Sequence, residues 1–444
     1  MNVYMGYACA DITPEEQAEM IGFARPDNLS KGILHRLEAS VMVLKSTEET
    51  CCLVTIDSLG FTAELSNLLR QKIGAKLCTP PEKVMLCFSH THSAPNAGTE
   101  DGTYYQLACE KILTAVSEAV SVMNPIKAAW GLGSGEIGVN RRGDTASVDN
   151  RIGILKVVDS DSGTLKLLLL RVTAHANVLS SDNDLISADY FGVTRKLLKE
   201  KYGCEVMMTQ GAAGDIRPRY QQDNAAFLEI HAWEEPHKKY TEAEKKKYFD
   251  QSRDALRKMA DSIDRAVDSI IDDMIPQSIT RLAMFSMHSS FAADVPSLKR
   301  AAEIAQEAAQ MAGIDGTGWL KEVQRLQGLH IKKQFADVEI QYFCINDGCL
   351  CGAANETMCR MALDVTDKAG NPLLLFGGYT NGCSSYLPTA EEYDKGGYEV
   401  LWSNLIYYSY HGRVMPLNRD TADRLVAAVV QGWKQFLYRG EIEK

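Results

Sequence analysis

Two histidines one residue apart, His90 and His92 in Phe88-Ser89-His90-Thr91-His92-Ser93-Ala94-Pro95-Asn96, directly follow the apolar run Val84-Met85-Leu86-Cys87-Phe88. In an extended chain the side chains at i and i+2 point to one face, so both imidazoles can address one centre at the carboxyl end of a buried strand. Open α/β sheets carry their sites at that end. The chain has nine histidines, and a third candidate, His175 in Thr173-Ala174-His175-Ala176-Asn177, follows the apolar run Leu165 to Val172 in the same way. Three imidazoles at strand ends are what a catalytic zinc ion asks for: neutral nitrogen donors on rigid elements, with a position left for water. Taken alone, the His90 and His92 pair reads equally as a satisfied polar pair at a strand end.

Further candidates lie close to these ends. Asp57 closes the apolar run Thr50 to Ile56 and is placed to orient a ligand histidine, to bind a second ion, or to cap the helix expected from Thr62 to Ile73. Asn140-Arg141-Arg142 puts two guanidinium groups in a loop, where a bidentate donor holds a carbonyl, carboxylate or oxyanion, or simply faces solvent. In Gly211-Ala212-Ala213-Gly214-Asp215 the small residues let backbone amides approach a substrate, and Asp215 either braces an imidazole or caps a turn. The loop Gly377 to Thr389 is rich in glycine, hydroxyl and aromatic groups, Tyr379, Cys383 and Tyr386 among them, and is suited to line a pocket. The run Gly131-Leu132-Gly133-Ser134-Gly135 lacks the Lys-Ser/Thr ending of a phosphate loop, which removes a nucleotide reading.

The elements that must position these residues follow from periodicity. Apolar runs predict strands ending at Leu44, Ile56, Phe88, Val172, Met208, Ile345, Gly352 and Phe376, with a hairpin through Lys45 to Glu49 and another through Asn346-Asp347-Gly348. Helices are expected at about 103–123 and 421–437, and Glu356 falls at an expected helix start. Leu256, Met259, Ile263, Val267, Ile270 and Met274, spaced three and four apart, predict one long amphipathic helix over about 240–274. Another spans Ser297 to Ala312, capped by Ser297 and stopped by Gly313. The expected fold class is α/β, with mixed β-sheets at the centre and helices packed outside in several layers. It is a single large domain over residues 1–444 with a helical insert at about 222–335, where His231, His237, His288 and His330 read as surface residues.

With 45% hydrophobic and 24% charged residues the chain can bury a large core. A net charge of −11 argues against nucleic acid as a partner. The longest apolar run, around Leu167 to Leu170, is too short for a transmembrane segment, and no leader precedes Ala8-Cys9-Ala10-Asp11. The expected location is cytoplasmic, or periplasmic or secreted if a signal peptide has been removed. Cysteines inside apolar runs, such as Cys52 and Cys344, read as reduced core thiols.

Taken in order, these stretches resemble the catalytic domain of the neutral, non-lysosomal ceramidase family. The resemblance rests on Ala10-Asp11-Ile12-Thr13, His90-Thr91-His92-Ser93, Val139-Asn140-Arg141, His175, Gly214-Asp215-Ile216-x-Pro218, Glu356 and the loop Gly378 to Thr389. It implies one zinc ion held by His90, His175 and Glu356, with His92 a general acid/base or oxyanion donor, Arg141 a substrate-binding residue and Tyr386 a tyrosine of the pocket. It also implies hydrolysis of an amide bond in a small-molecule N-acyl amide or lipid-like substrate by metal-activated water. Three departures qualify this. Cys383 aligns with the family's tyrosine ligand, so the fourth ligand is its thiolate or a nearby tyrosine, Tyr379 or Tyr386. Arg217 stands where the family has a serine, which leaves water as the nucleophile. The family's carboxyl-terminal β-sandwich would begin where this chain ends, and no apolar stripe marks a sphingoid groove, which argues against ceramide itself. The alternatives are an esterase acting on a non-lipid substrate, or a catalytically lapsed metal- or ligand-binding homologue whose four protein ligands leave no place for water. Retention of His92 and Arg141 favours the enzyme.

Overall fold

The computed structural model describes residues 2–25, 27–143, 146–221 and 241–442. Period-two alternation in the strands gives each sheet two apolar faces, and the chain buries all four by stacking in the order helix, sheet, sheet, helix. In Glu38–Lys45, for example, Val41 and Val43 face the outer helices whereas Met42 and Leu44 face the second sheet.

The first sheet has nine strands. Its order is Glu205–Gln210, Leu165–Val172, Arg151–Asp159, Asn124–Ser134, Tyr4–Asp11, Glu38–Lys45, Thr50–Ile56 and Val84–Phe88, with Gln277–Ser278 paired to Asn124–Ser134 off this path. Only the pairs at the two ends of this order are parallel. Parallel neighbours need a crossover, and the helices Ala63–Leu77 and Asp189–Tyr202 supply one each. Both crossovers leave the sheet at the same kind of strand end, and the histidine-bearing segments follow there. The second sheet orders Leu282–Asp294, Lys333–Ile345, Gly348–Gly352 and Leu374–Gly377, and is covered by Cys359–Ala369 and Thr421–Ile442. The predicted α/β class, with mixed sheets inside and helices outside, is the architecture observed. Among the described residues no helix is long and apolar enough to cross a membrane.

The expected helical insert has more in it than helices. His231, His237 and the rest of 222–240 lie outside the described residues. Glu242–Asp268 forms where the spacing predicts a helix but ends before Ile270 and Met274, and Leu298–Ala312 forms as predicted, with Ser297 accepting from the Arg300 amide and Gly313 closing it at φ +56°. Between them, however, Leu282–Asp294 is a thirteen-residue strand that pairs along the whole of Lys333–Ile345 and belongs to the second sheet. It is an edge strand, and the polar run His288-Ser289-Ser290 interrupts its apolar pattern and masks it. The glycine run also finds its reason in packing. A Cβ on Gly133 would lie 2.5 Å from the Ala266 carbonyl oxygen, because the long helix Glu242–Asp268 rests directly on this strand.

Candidate metal centre

Ring nitrogens of His90, His92 and His175 lie within 4.8 Å of one another. The Nδ1 atom of each ring meets a backbone carbonyl: Leu59 O at 2.6 Å from His90, Gly22 O at 3.0 Å from His92 and Ala213 O at 2.6 Å from His175. A carbonyl only accepts, so these contacts assign the proton to Nδ1 and turn each Nε2 lone pair inward. Glu356 Oε2 stands 3.3 Å from His90 Nε2 and 3.2 Å from His175 Nε2. The Nε2 atoms of His92 and His175 are buried without a hydrogen-bond partner among the described residues. Lone pairs converging on a carboxylate repel unless a cation lies between them, so this donor set fits a zinc ion.

The same electrostatics appear in the proton affinities. Burial pushes His175 down to about 4, and burial together with the neighbouring imidazoles holds His92 well below the usual histidine range. Burial alone would raise the Glu356 carboxyl, but His90 and His175 hold it well below its ordinary value. Neutral imidazoles beside an ionised carboxylate are the protonation states a metal requires.

Two sheets contribute to this centre. Gln210, buried at the end of its strand, donates Nε2 to Ser89 O at 3.2 Å and to Ala174 O at 2.7 Å, tying together the residues that precede His90 and His175. The loop after Leu374–Gly377 docks on the Val84–Phe88 edge through Phe88 N to Tyr379 O at 3.0 Å and Asn381 N to Leu86 O at 2.8 Å. His90, Tyr379 and Asn381 all adopt left-handed backbone, with φ of +59°, +54° and +57°. Strain of this kind persists only where the surroundings over-determine it. Glu356 is not at a helix start as expected. It sits in the two-residue strand Glu356–Thr357, which pairs in parallel with Tyr386–Leu387 and sets Glu356 beside Tyr386. The helix begins at Cys359. Tyr379 OH lies 3.3 Å from Glu356 Oε2. Arg141 Nη2 donates to Gly214 O at 2.7 Å and to Tyr386 OH at 3.1 Å, while its Nε pairs with Glu399 at 2.9 Å.

No family model matches the sequence, and no curated protein matches it. Among solved structures, the chain superposes on a neutral ceramidase from Pseudomonas aeruginosa with a TM-score of 0.66 over 96% of this chain and 75% of that one, at 18% identity. A ceramidase complexed with C2 gives 0.64 over 96% and 76%, also at 18% identity. The chain has the neutral ceramidase fold.

Within this ceramidase fold, the structure brings together His90, His92, His175, Glu356, Tyr379, Tyr386 and Arg141, and leaves three expected residues elsewhere. Cys383 Sγ lies 3.8 Å from His90 Nδ1, on the ring edge turned to Leu59 O rather than towards Nε2. The positive-φ residues of the loop rotate it to that side. Asp57 is engaged by both Nη atoms of Arg195 and accepts the Glu38 amide, so it serves a buried ion pair. Asp215 accepts from Asn140 Nδ2 and from the Cys359 amide, both at 2.8 Å, and burial pushes its carboxyl up to about 6. It braces the Arg141 loop and the start of a helix, while the imidazole beside it takes the Ala213 carbonyl instead. Sequence reasoning missed Gln210, Glu399 and Tyr398, whose ring packs edge-on to Tyr386 at 6.0 Å. The adjacent Gly396 and Gly397, both at positive φ, were the available signal for the last two.

Proposed function

We propose that this chain is a zinc-dependent hydrolase that cleaves the amide bond of a small N-acyl amide, with water as the nucleophile. The observation that carries the reading is the convergence of inward Nε2 lone pairs and the Glu356 carboxylate at 3.2 to 3.3 Å. His90, His175 and Glu356 would hold the ion as three protein ligands and leave a position for water, and Tyr386, set beside Glu356 and held by Arg141, is the pocket tyrosine we assign beside them in place of Cys383. Zinc bound there would polarise the scissile carbonyl and lower the pKa of a water from 15.7 towards ~7.

The remaining steps belong to the protein. His92, neutral and with its proton on Nδ1, presents Nε2 as an acceptor, so it takes the proton of the attacking water. It then returns that proton to the leaving nitrogen, which closes the proton balance. Arg141 keeps guanidinium protons beyond those given to Gly214, Tyr386 and Glu399, and these stabilise the oxyanion. The names of the solved neighbours support an amide as the bond cut. A binding-only centre closed by Cys383 draws no support from a sulfur on the far edge of His90.

Elemental analysis of the wild type and His175→Ala, alongside hydrolysis of N-acyl amides of graded chain length, tests the reading. About one zinc per chain is expected, with its loss in the variant accompanied by a fall in kcat/KM of at least ~10³-fold, the equivalent of several kcal/mol of transition-state stabilisation. A wild type that takes up no zinc after loading would overturn it.

A further inference from the structure

A cleft of about 900 Å³ opens beside the pocket loop. Asn355, Thr380 and Cys383 line it, but none of His90, His92, His175, Glu356, Tyr379 and Tyr386 does. It is therefore a space separate from the metal centre, reached from the other side of the same chain segments. Its walls include Leu68, Phe335, Val338 and Leu417, which give it an apolar length, and its size suits a small organic ligand.

Two side chains in this cleft carry buried N–H groups without a partner among the described residues. Arg413 is 3% exposed, and among the described residues no carboxylate pairs with it. Of its five N–H groups, one reaches Met415 O at 3.2 Å and one Ser385 Oγ at 2.9 Å, while Nε is buried without a partner. Arg70, the other buried guanidinium of the cleft, shows the contrast: it is held by both carboxylate oxygens of Glu339, at 2.7 and 2.8 Å. The second donor is His411. Its Nδ1 accepts the Arg413 amide at 3.2 Å, which puts the ring proton on Nε2, and Nε2 is buried with no partner. A buried cation is retained in a fold when something neutralises it, and nothing in the described protein does so here.

We propose that Arg413 and His411 bind the carboxylate of a small ligand whose apolar body lies along the cleft. The planar fork of a guanidinium matches a carboxylate, and one imidazole N–H adds a third donor. A phosphate dianion is disfavoured, because a single unpaired cation faces an opening rimmed by Glu64, Glu100 and Asp337. The assignment does not depend on chemistry at the zinc site.

Calorimetric titration of the full chain with octanoate tests this, with octanamide and inorganic phosphate as comparison probes. One octanoate per chain is expected to bind, with octanamide at least about tenfold weaker because it lacks the charge. Arg413→Gln should lose roughly tenfold or more in octanoate affinity. It should keep the wild-type melting temperature or exceed it, since an unpaired buried charge is removed. Leu68→Trp, which fills the cleft and leaves Arg413 in place, should weaken octanoate as well and keeps the test open if Arg413→Gln misfolds. His175→Ala should bind octanoate as the wild type does, which separates this cleft from the metal centre. The proposal is overturned if octanoate fails to bind by about 10 mM. Equal affinity for octanamide, tighter binding of phosphate, or loss of binding in His175→Ala overturns it too.

Discussion

At the scale of single residues, the orientation of His92 depends on Gly22. Gly22 has φ +102°, and a Cβ there would lie 2.9 Å from both Cγ and Nδ1 of His92, so no side chain fits without turning the ring. Gly22→Ala is expected to lower kcat by about 10²-fold through misplacement of the proton acceptor proposed above. Zinc content should not change, because His90, His175 and Glu356 are untouched, and steady-state kinetics beside elemental analysis checks both halves. Wild-type turnover would remove His92 from the proton path. His90 and His175 were legible as candidates because each follows a continuous apolar run, whereas Glu356 entered only through the family resemblance and was expected at a helix start, not in the two-residue strand it occupies. Cys383 was not, since which side of a loop faces the centre is decided by the positive φ of Tyr379 and Asn381, and side-chain periodicity does not report φ. Asp57 was misread because its partner Arg195 lies 138 residues away.

At the scale of elements, that ion pair joins the end of the Thr50–Ile56 strand to the crossover helix Asp189–Tyr202, and so fixes one histidine-bearing half against the other. Asp57 is 1% and Arg195 6% exposed. Asp57→Ala leaves the buried guanidinium only the Glu38 carboxylate, 3.5 Å from its Nε, and should cost about 3 kcal/mol in urea unfolding. The folded variant should still carry its zinc. Loss of zinc from a folded Asp57→Ala would return Asp57 to the metal centre. The strands that end in chemistry were readable because they are continuous apolar runs. The Leu282–Asp294 strand was not, because an edge strand needs only one apolar face and this one fills the other with polar and small residues.

At the scale of the whole molecule, pH dependence is a balance between buried groups of opposite tendency. Burial pushes His175 down to about 4 and His411 to about 3. It pushes Asp189 and Asp215 up to about 6. For the histidines, the unfolded chain takes up protons first as pH falls below 6.5, so their contribution to stability falls with pH. For the two aspartates the folded state binds protons first between about 6 and 3.8, so their contribution rises as pH falls. Chelator-treated protein should therefore lose stability from about pH 6.5 to 6, lose it more slowly to about pH 4, where the two aspartates offset part of the contribution of His92, His175 and His411, and fall again below that. Urea midpoints measured from pH 8 to 3 check this, and a steady steep decline from 6.5 to 4 would contradict it. The sequence made the α/β class and the order of elements readable, since hydrophobic periodicity reports which residues are buried. It left the pairing of the two sheets unread, because an apolar face does not name the face it meets.

The residues proposed for the metal centre come from both sides of that pairing. His90, His92 and His175 belong to segments of the first sheet, whereas Glu356 and Tyr386 come from segments attached to the second. During synthesis the three imidazoles leave the ribosome long before residue 356 exists, and a nascent chain at that point has nitrogen donors but no carboxylate to complete the set. If the centre takes the ion proposed for it, loading would act as a checkpoint on finished folding: it would report that both halves have been made and have closed on each other, and a chain stalled or cleaved between them would stay metal-poor.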